Sequence, residues 1–309
     1  PYSAFNEIGQ VSPGSLLTWR DGKTLTSRYW VPDFETKTNI SYEEALQTTK
    51  EVIEESVSRR LISERPLGSF LSGGYDSTIV TAYMAKLMDE KVQTYSIGFH
   101  SAQFNEAHHA RQVANFLGTN HHEEILNPDP AVVTEKIAHV LDQPFADSSI
   151  VPTYLLAKFA RENLIVALGG DGGDEVFGGY DRYLATPLLQ KLNPFLSLAR
   201  AGLELAGKQT IGKTRKINRV GSQLSAKTSL AARYSSILSL AQPNDLSSLL
   251  NPGFVSAAGE NTFVSQFTSG HISPFDRMIR SDLAAYLPGD LLVKVDMATM
   301  ANSLELRSP

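Results

Sequence analysis

The sequence predicts an α/β protein: a doubly wound parallel sheet covered by helices on both faces, with a largely helical part toward the C-terminus. Three observations predict it. From Gly68 to Leu168 short apolar runs alternate with stretches of helical length, the pattern of consecutive βαβ units. Two of those runs, ending at Leu71 and Leu168, lead straight into glycine-rich turns, where parallel sheets carry their ligand loops. The chain has 309 residues, 42% hydrophobic and 20% charged, which is ordinary for a globular protein with a proper core and amounts to one or two domains.

Taken in order, residues 1–36 differ in texture from the rest. Ser15–Trp19 and Thr24–Trp30 are rich in β-branched and aromatic residues and flank Asp21-Gly22, so they read as two strands of a hairpin. A lone hairpin is marginal in water and needs something to pack on. Ser41, with Glu44 three residues later, is a capping box for a helix whose apolar residues are Leu46, Ile53, Val57 and Leu61, and Pro66-Leu67-Gly68 ends that run. The strand candidate Gly68–Leu71 precedes a helix around Thr78–Met88, Val92–Ile97 precedes one around Glu106–Leu117, and His121–Leu126 precedes one around Pro130–Leu141. A helix near Pro152–Arg161 then leads to the compact buried-strand candidate Leu164–Leu168. Beyond Leu184 the pattern is mainly helical, and Lys208–Arg233, with Lys213, Arg215, Lys216, Arg219 and Lys227, reads as a solvated helix face or loop. The abrupt end at Leu304–Pro309 gives the chain the look of a fragment.

Composition also excludes function classes. With no cysteine, the chain holds no disulfide, cysteine-ligated metal or cysteine nucleophile. A formal net charge of -5 argues against a nucleic-acid partner held by a basic face, and no apolar run has the length of a membrane span. A cytoplasmic location is the default expectation. His108-His109 and His121-His122 are adjacent pairs that point apart on any regular element, so structural roles are expected for them rather than metal ligation. There is no Gly-x-Ser-x-Gly elbow of a serine hydrolase.

The chemistry concentrates in two turns. In Ser72-Gly73-Gly74-Tyr75-Asp76-Ser77-Thr78 the glycines let the backbone wrap an anion and the hydroxyls add donors, before a helix N-terminus. A carboxylate inside such a loop repels phosphate unless a divalent cation stands between them, so Asp76 implies Mg²⁺. No Gly-Lys-Ser/Thr closes the loop, so it is not a Walker A motif. In the second turn, six glycines occupy the eleven residues Gly169–Gly179, leaving Asp171, Asp174 and Glu175 on a flexible segment at a strand's carboxyl end. The carboxylates lack the spacing of an EF-hand. Together the turns predict a nucleotide phosphate–Mg²⁺ site with carboxylates to spare.

Ser72–Ser77 resembles the PP-loop of N-type ATP pyrophosphatases, the adenine-nucleotide α-hydrolase type of fold. Combined with Gly169–Tyr180, Leu291–Met300, Thr94–Phe99, Gly118–Glu123 and Asp142–Ser149, it resembles the synthetase domain of glutamine-dependent asparagine synthetases. The resemblance runs from about Ser41 to Pro309. Val11–Pro32 resembles the closing strands of the same family's N-terminal glutaminase domain, which implies a boundary between residues 1–36 and a synthetase domain, residues 37–309, truncated at its C-terminus. The activity implied is adenylation of the aspartate side chain by ATP, with release of pyrophosphate, followed by displacement of AMP by ammonia to give asparagine. The substrates would be small molecules (ATP, aspartate and ammonia), and a homodimer is among the states the resemblance allows.

By position, the resemblance implies that Leu71 and Ile97 line the adenine and ribose. Ser72, Gly73, Gly74 and Ser77 would hold the pyrophosphate portion, Asp76 and Asp174 would bind Mg²⁺, and Gly169 and Gly170 would touch the nucleotide through backbone. Lys294 would stabilise charge on the α-phosphate, and Asp171 would serve the adenylate and ammonia chemistry. The best-studied members carry glutamate at the position of Asp171. The shorter side chain withdraws the carboxylate by roughly 1 Å, a displacement that can cost on the order of 10²-fold in rate. Asp147-Ser148-Ser149 is expected either to bind the amino acid or to cap a helix, and Arg307 to meet a substrate carboxylate or form a salt bridge. Glutaminase chemistry is not expected of this chain, because the family's nucleophile is an N-terminal cysteine. Two rivals stand beside this reading: a related adenylating enzyme with another acceptor, of β-lactam synthetase or peptide-cyclase type, and a non-catalytic nucleotide-binding module.

Overall fold

The computed structural model describes residues 3–5, 7–99, 107–126, 129–191, 229–239, 251 and 272–309. In chain order its elements begin with the hairpin strands β1 (Ser15–Arg20) and β2 (Lys23–Arg28), then α1 (Tyr42–Arg60), β3 (Leu67–Phe70), α2 (Tyr75–Leu87), β4 (Gln93–Phe99), α3 (Ala107–Leu117) and β5 (Asn120–Leu126). They continue with α4 (Pro130–Ala138), α5 (Ile150–Ala160), β6 (Val166–Leu168), α6 (Gly173–Phe177), α7 (Asp181–Lys191), α8 (Leu230–Leu238) and α9 (Pro274–Ser281). A π-helix, Asp282–Leu291, runs into α10 (Leu292–Met300), and β7 (Glu305–Arg307) follows.

Local signals act where they were read. The hairpin turns at Asp21 and Gly22, both at positive φ, and its antiparallel register runs from Ser15↔Arg28 to Arg20↔Lys23. At α1 the Ser41 hydroxyl accepts from the Glu44 amide at 3.2 Å while the Glu44 carboxylate accepts from the Ser41 amide at 2.9 Å, so two orphan donors are satisfied reciprocally. The start of α2 differs from expectation. It begins at Tyr75 with Gly74 as N-cap, so Asp76 and Ser77 belong to its first turn instead of the preceding loop. The Ser77 hydroxyl donates to the Gly74 carbonyl at 3.3 Å, which winds the helix back to that point.

The chain divides into two compact units: Pro1–Val31 with Lys37–Asp174 and Leu287–Pro309, and Pro32–Thr36 with Glu175–Tyr286. The first holds a five-stranded sheet in the order β5-β4-β3-β6-β7, every pairing within it parallel. Winding from β3 outward through β4 to β5, then on the other side from β6 to β7, puts the topological switch point between β3 and β6. Alternation along the strands fills both faces. Ala167 packs with Phe70, Tyr95, Leu164 and the α5 residues Ala157 and Ala160 on one face, while its neighbour Leu168 packs with Val57, Val80 and Met84 from α1 and α2 on the other. Both ring nitrogens of His121 meet hydroxyls, Thr94 at 3.0 Å and Ser96 at 3.2 Å, and His122 bonds Gln93 at 2.9 Å, so these two histidines serve the sheet.

In the second unit Tyr183, Leu230, Tyr234, Met278 and Ile279 form the core. Fully buried Asp282 accepts the hydroxyls of Tyr183 and Tyr234, both at 2.6 Å, and the Arg182 guanidinium at 2.9 Å. Of the basic stretch, Lys213, Arg215, Lys216, Arg219 and Lys227 lie outside the described residues. Arg233, at its end, is 1% exposed on α8, so that position is not part of a solvated face. No helix among the described residues is long and apolar enough to cross a membrane.

Candidate active site at the carboxyl ends of β3 and β6

Because β3 and β6 are neighbours in register (Ser69↔Leu168), the turns that leave them start side by side. After β3 the chain folds on itself. The Ser72 amide donates to the Ser77 hydroxyl at 3.2 Å, the two hydroxyls lie 3.0 Å apart, and the Gly74 amide donates to the Ser72 hydroxyl at 3.2 Å. Gly73 makes this possible at φ +86, where a Cβ would also come within 2.6 Å of the His109 backbone. Gly74 offers no side chain to cap α2, so the helix's first amides keep their dipole and donor capacity for an anion.

The turn after β6 presses against this loop. A Cβ on Gly170 would lie 2.6 Å from the Ser77 nitrogen and 2.9 Å from the Asp76 carbonyl carbon, and one on Gly173 would fall on the Asp76 carboxylate. Glycine is therefore required where the two backbones meet. Gly170→Ala is expected to destabilise the protein by about 1–3 kcal/mol, as overpacking does, and to weaken nucleotide binding with it; a thermal melt and an ATP titration check both.

This contact brings three carboxylates together. Burial pushes the Asp76 carboxyl above its ordinary range, and the charges of Asp174 and Asp171 push it further. Burial raises Asp171 likewise, opposed by the charge of Lys294. Asp171 is thus close enough to both Asp76 and Lys294 to feel the charge of each. Lys294, in the first turn of α10, is 9% exposed, and its Nζ lies 3.3 Å from Asp147 Oδ2. Burial acts to raise Asp147, but hydrogen bonds from the Ser149 amide and hydroxyl, together with Lys294, outweigh it and leave the carboxyl below its usual range. Asp290, one helical turn before Lys294, is raised by burial and by the charge of Asp147.

The remaining expected positions divide. Leu71, just after β3, has its side chain in the core against Ala110 and Ala114 and its amide donating to the Tyr95 carbonyl at 3.0 Å, so only its carbonyl remains for a nucleotide; Ile97 is half-buried on β4. The Gly169 amide donates to the Arg307 carbonyl at 3.0 Å and is used by the sheet. Asp174 and Glu175 sit on α6 and not on a flexible turn, and Glu175 is buried, accepting the Tyr180 hydroxyl at 2.5 Å. Arg307 takes the structural alternative: it pairs with Glu305 at 2.7 Å and donates to the carbonyls of Arg60 and Ile62, both at 2.8 Å. Asp290 was not singled out from the sequence, although an acid four residues before a lysine on a helix is a readable signal.

Among the described residues no group of three or more histidines and carboxylates is arranged to enclose a metal ion. A pair of crowded, mutually repelling carboxylates fits Mg²⁺ nonetheless, because that ion takes one or two protein carboxylates and completes its shell with phosphate oxygens and water.

A doubly wound parallel sheet with an Ser-Gly-Gly-x-Asp-Ser turn and an Asp-bearing glycine turn meeting at its switch point defines the class: an α/β protein of the adenine-nucleotide α-hydrolase type. The Asparagine synthase family model matches residues 48–309, and the chain belongs to that family. It is 32% identical over 313 residues to asparagine synthetase [glutamine-hydrolyzing] 1 of Bacillus subtilis, covering 98% of this chain and 48% of that protein. It is 34% identical over 293 residues to a putative asparagine synthetase of Mycobacterium tuberculosis, covering 92% of this chain and 44% of that one. The chain therefore spans about half the length of these curated relatives. Among solved structures, an NH3-dependent NAD synthetase from Campylobacter jejuni covers 46% of the chain and 61% of its own at 16% identity with a TM-score of 0.30, too little to bear on the argument.

Proposed function

We propose that this chain is the synthetase part of a glutamine-hydrolysing asparagine synthetase, converting aspartate, ammonia and ATP into asparagine, AMP and pyrophosphate. One observation carries the reading: the turn bearing Asp171 packs against the anion loop at Asp76 and Ser77, with Asp171 within electrostatic reach of both Asp76 and Lys294, which supports a single site for anion-loop, acid and cation. The aspartate side-chain carboxylate attacks the α-phosphorus and pyrophosphate leaves; ammonia then attacks the resulting acyl carbon and AMP leaves. The first step drives a carboxylate onto a polyanion, which demands fixed counter-charge and alignment more than covalent help from the protein. Ser72, Gly73, Gly74 and Ser77 hold the departing pyrophosphate, and Lys294 meets the charge that builds on the α-phosphate oxygens. Asp76 and Asp174 would hold Mg²⁺, which neutralises phosphate charge when bound. Asp171, whose burial makes its ionised carboxylate a stronger base, is suited to accept the proton that ammonia must shed.

Ammonia would normally come from a glutaminase domain, with residues 1–36 as its closing strands. Support comes from the hairpin itself, whose Leu16, Leu17, Trp19 and Leu25 are exposed and which has no third strand among the described residues. Incubation with Mg-ATP, ammonium and aspartate, followed by mass spectrometry, is expected to give AMP and asparagine in equal amounts, with glutamine unable to replace ammonium. AMP formed from another carboxylic acid but not from aspartate would transfer the chain to the β-lactam synthetase or cyclase type. Bound ATP with no AMP at all would make it a nucleotide-binding module.

A further inference from the structure

We infer that Asp147 is the positioning residue for Lys294, a fixed anchor that holds the ammonium group where the reaction needs it. A lysine is a point charge on a flexible four-carbon stem, and in this site three carboxylates lie within reach of its charge: Asp147 before α5, Asp171 after β6 and Asp290 at the end of the π-helix. Of the three, Asp147 is the one whose ion pair with Nζ, at 3.3 Å, meets the distance of a direct contact. It is also held from behind. Asp147 Oδ1 accepts the Ser149 amide at 2.9 Å, and the Ser149 hydroxyl lies 2.8 Å from each carboxylate oxygen.

The supports of the pair are themselves tied together. Ile150 of α5 and Ala298 of α10 share one buried cluster, and at the far end Asn302 donates to the Tyr154 carbonyl at 3.2 Å. Anchor and lysine therefore ride on two helices packed as a unit. Without Asp147 the stem is free to swing toward Asp171 or Asp290, away from a nucleotide's α-phosphate, even though no substrate contact has been removed. The role assigned here rests on the synthetase reading for its kinetic consequence, but the anchoring is a property of the chain itself.

The test uses the full 309-residue chain in two arms. In the first, a brief pulse of an acetylating ester is read by peptide mass spectrometry, with exposed Lys158 as internal reference. Asp147→Asn is expected to raise acetylation of Lys294 relative to Lys158 by about tenfold, as loss of a charge-assisted contact allows, and Ser149→Ala to raise it less. In the second, Asp147→Asn is expected to lower kcat for pyrophosphate release by about 10²-fold with KM for ATP little changed. An unchanged labelling ratio in a folded Asp147→Asn protein overturns the inference, as does a loss confined to KM for aspartate, which would put Asp147 on the substrate. If Asp147→Asn does not fold, the Ser149→Ala ratio decides. Should the wild type release no pyrophosphate, the synthetase reading falls, and the labelling arm alone decides the anchoring.

Discussion

Lys294→Met is expected to lower the rate of pyrophosphate release by about 10³-fold, mostly in kcat, because it removes a preorganised charge from a site of low dielectric while keeping an unbranched side chain only one atom shorter. The same change leaves Asp147 and Asp171 without their cation. Breaking a buried pair from one side typically costs about 3–5 kcal/mol, and the partial exposure of Asp147, 22% at the side chain, reduces that to roughly 1–3 kcal/mol. Steady-state kinetics beside a thermal melt separates the two effects: a folded variant that turns over at the wild-type rate would remove Lys294 from the chemistry.

Asp76→Asn should have opposite effects on stability and activity. The Asp76 carboxyl is raised in the folded state by burial and by the charges of Asp174 and Asp171. A group raised in this way favours the fold at low pH, and that favour is lost as pH rises through its folded value, so at neutral pH the ionised carboxylate works against the fold. Asparagine removes the repulsion, and the metal-free variant should be more stable by about 1 kcal/mol, a rise of roughly 2–4 °C in Tm. It should also lose any added stability conferred by Mg²⁺, and with it about 10²-fold or more of the ATP cleavage rate. Melts in chelator and in Mg²⁺ check this. A variant less stable than wild type in chelator, with its Mg²⁺ response intact, would show that Asp76 is a structural acid.

Much of this was legible before any coordinates. The Ser41–Glu44 cap, the Asp21-Gly22 turn and the alternation from Gly68 to Leu168 were all read from residues a few positions apart, and each folds as read. Both glycine turns were likewise visible. Less legible was β7: Glu305–Arg307 is three residues long, too short for an alternating pattern, and exists because β6 offers an open edge. The π-helix, with Pro288 inside it, follows no periodic signal either. Glu175 shows the limit from the other direction, an acid that looked available in a glycine-rich string and is buried against Tyr180.

Local chemistry along the chain settled the class of fold and the two glycine loops, because caps, turns and alternation act over a few residues. Which residues meet was settled by the folded chain alone. That β6 lies beside β3, that Gly170 touches Ser77, and that Asp147 reaches Lys294 all depend on strand order and on α5 packing against α10. Those arrangements arise from burying whole faces of helices on a sheet, a long-range term that no short stretch of sequence contains.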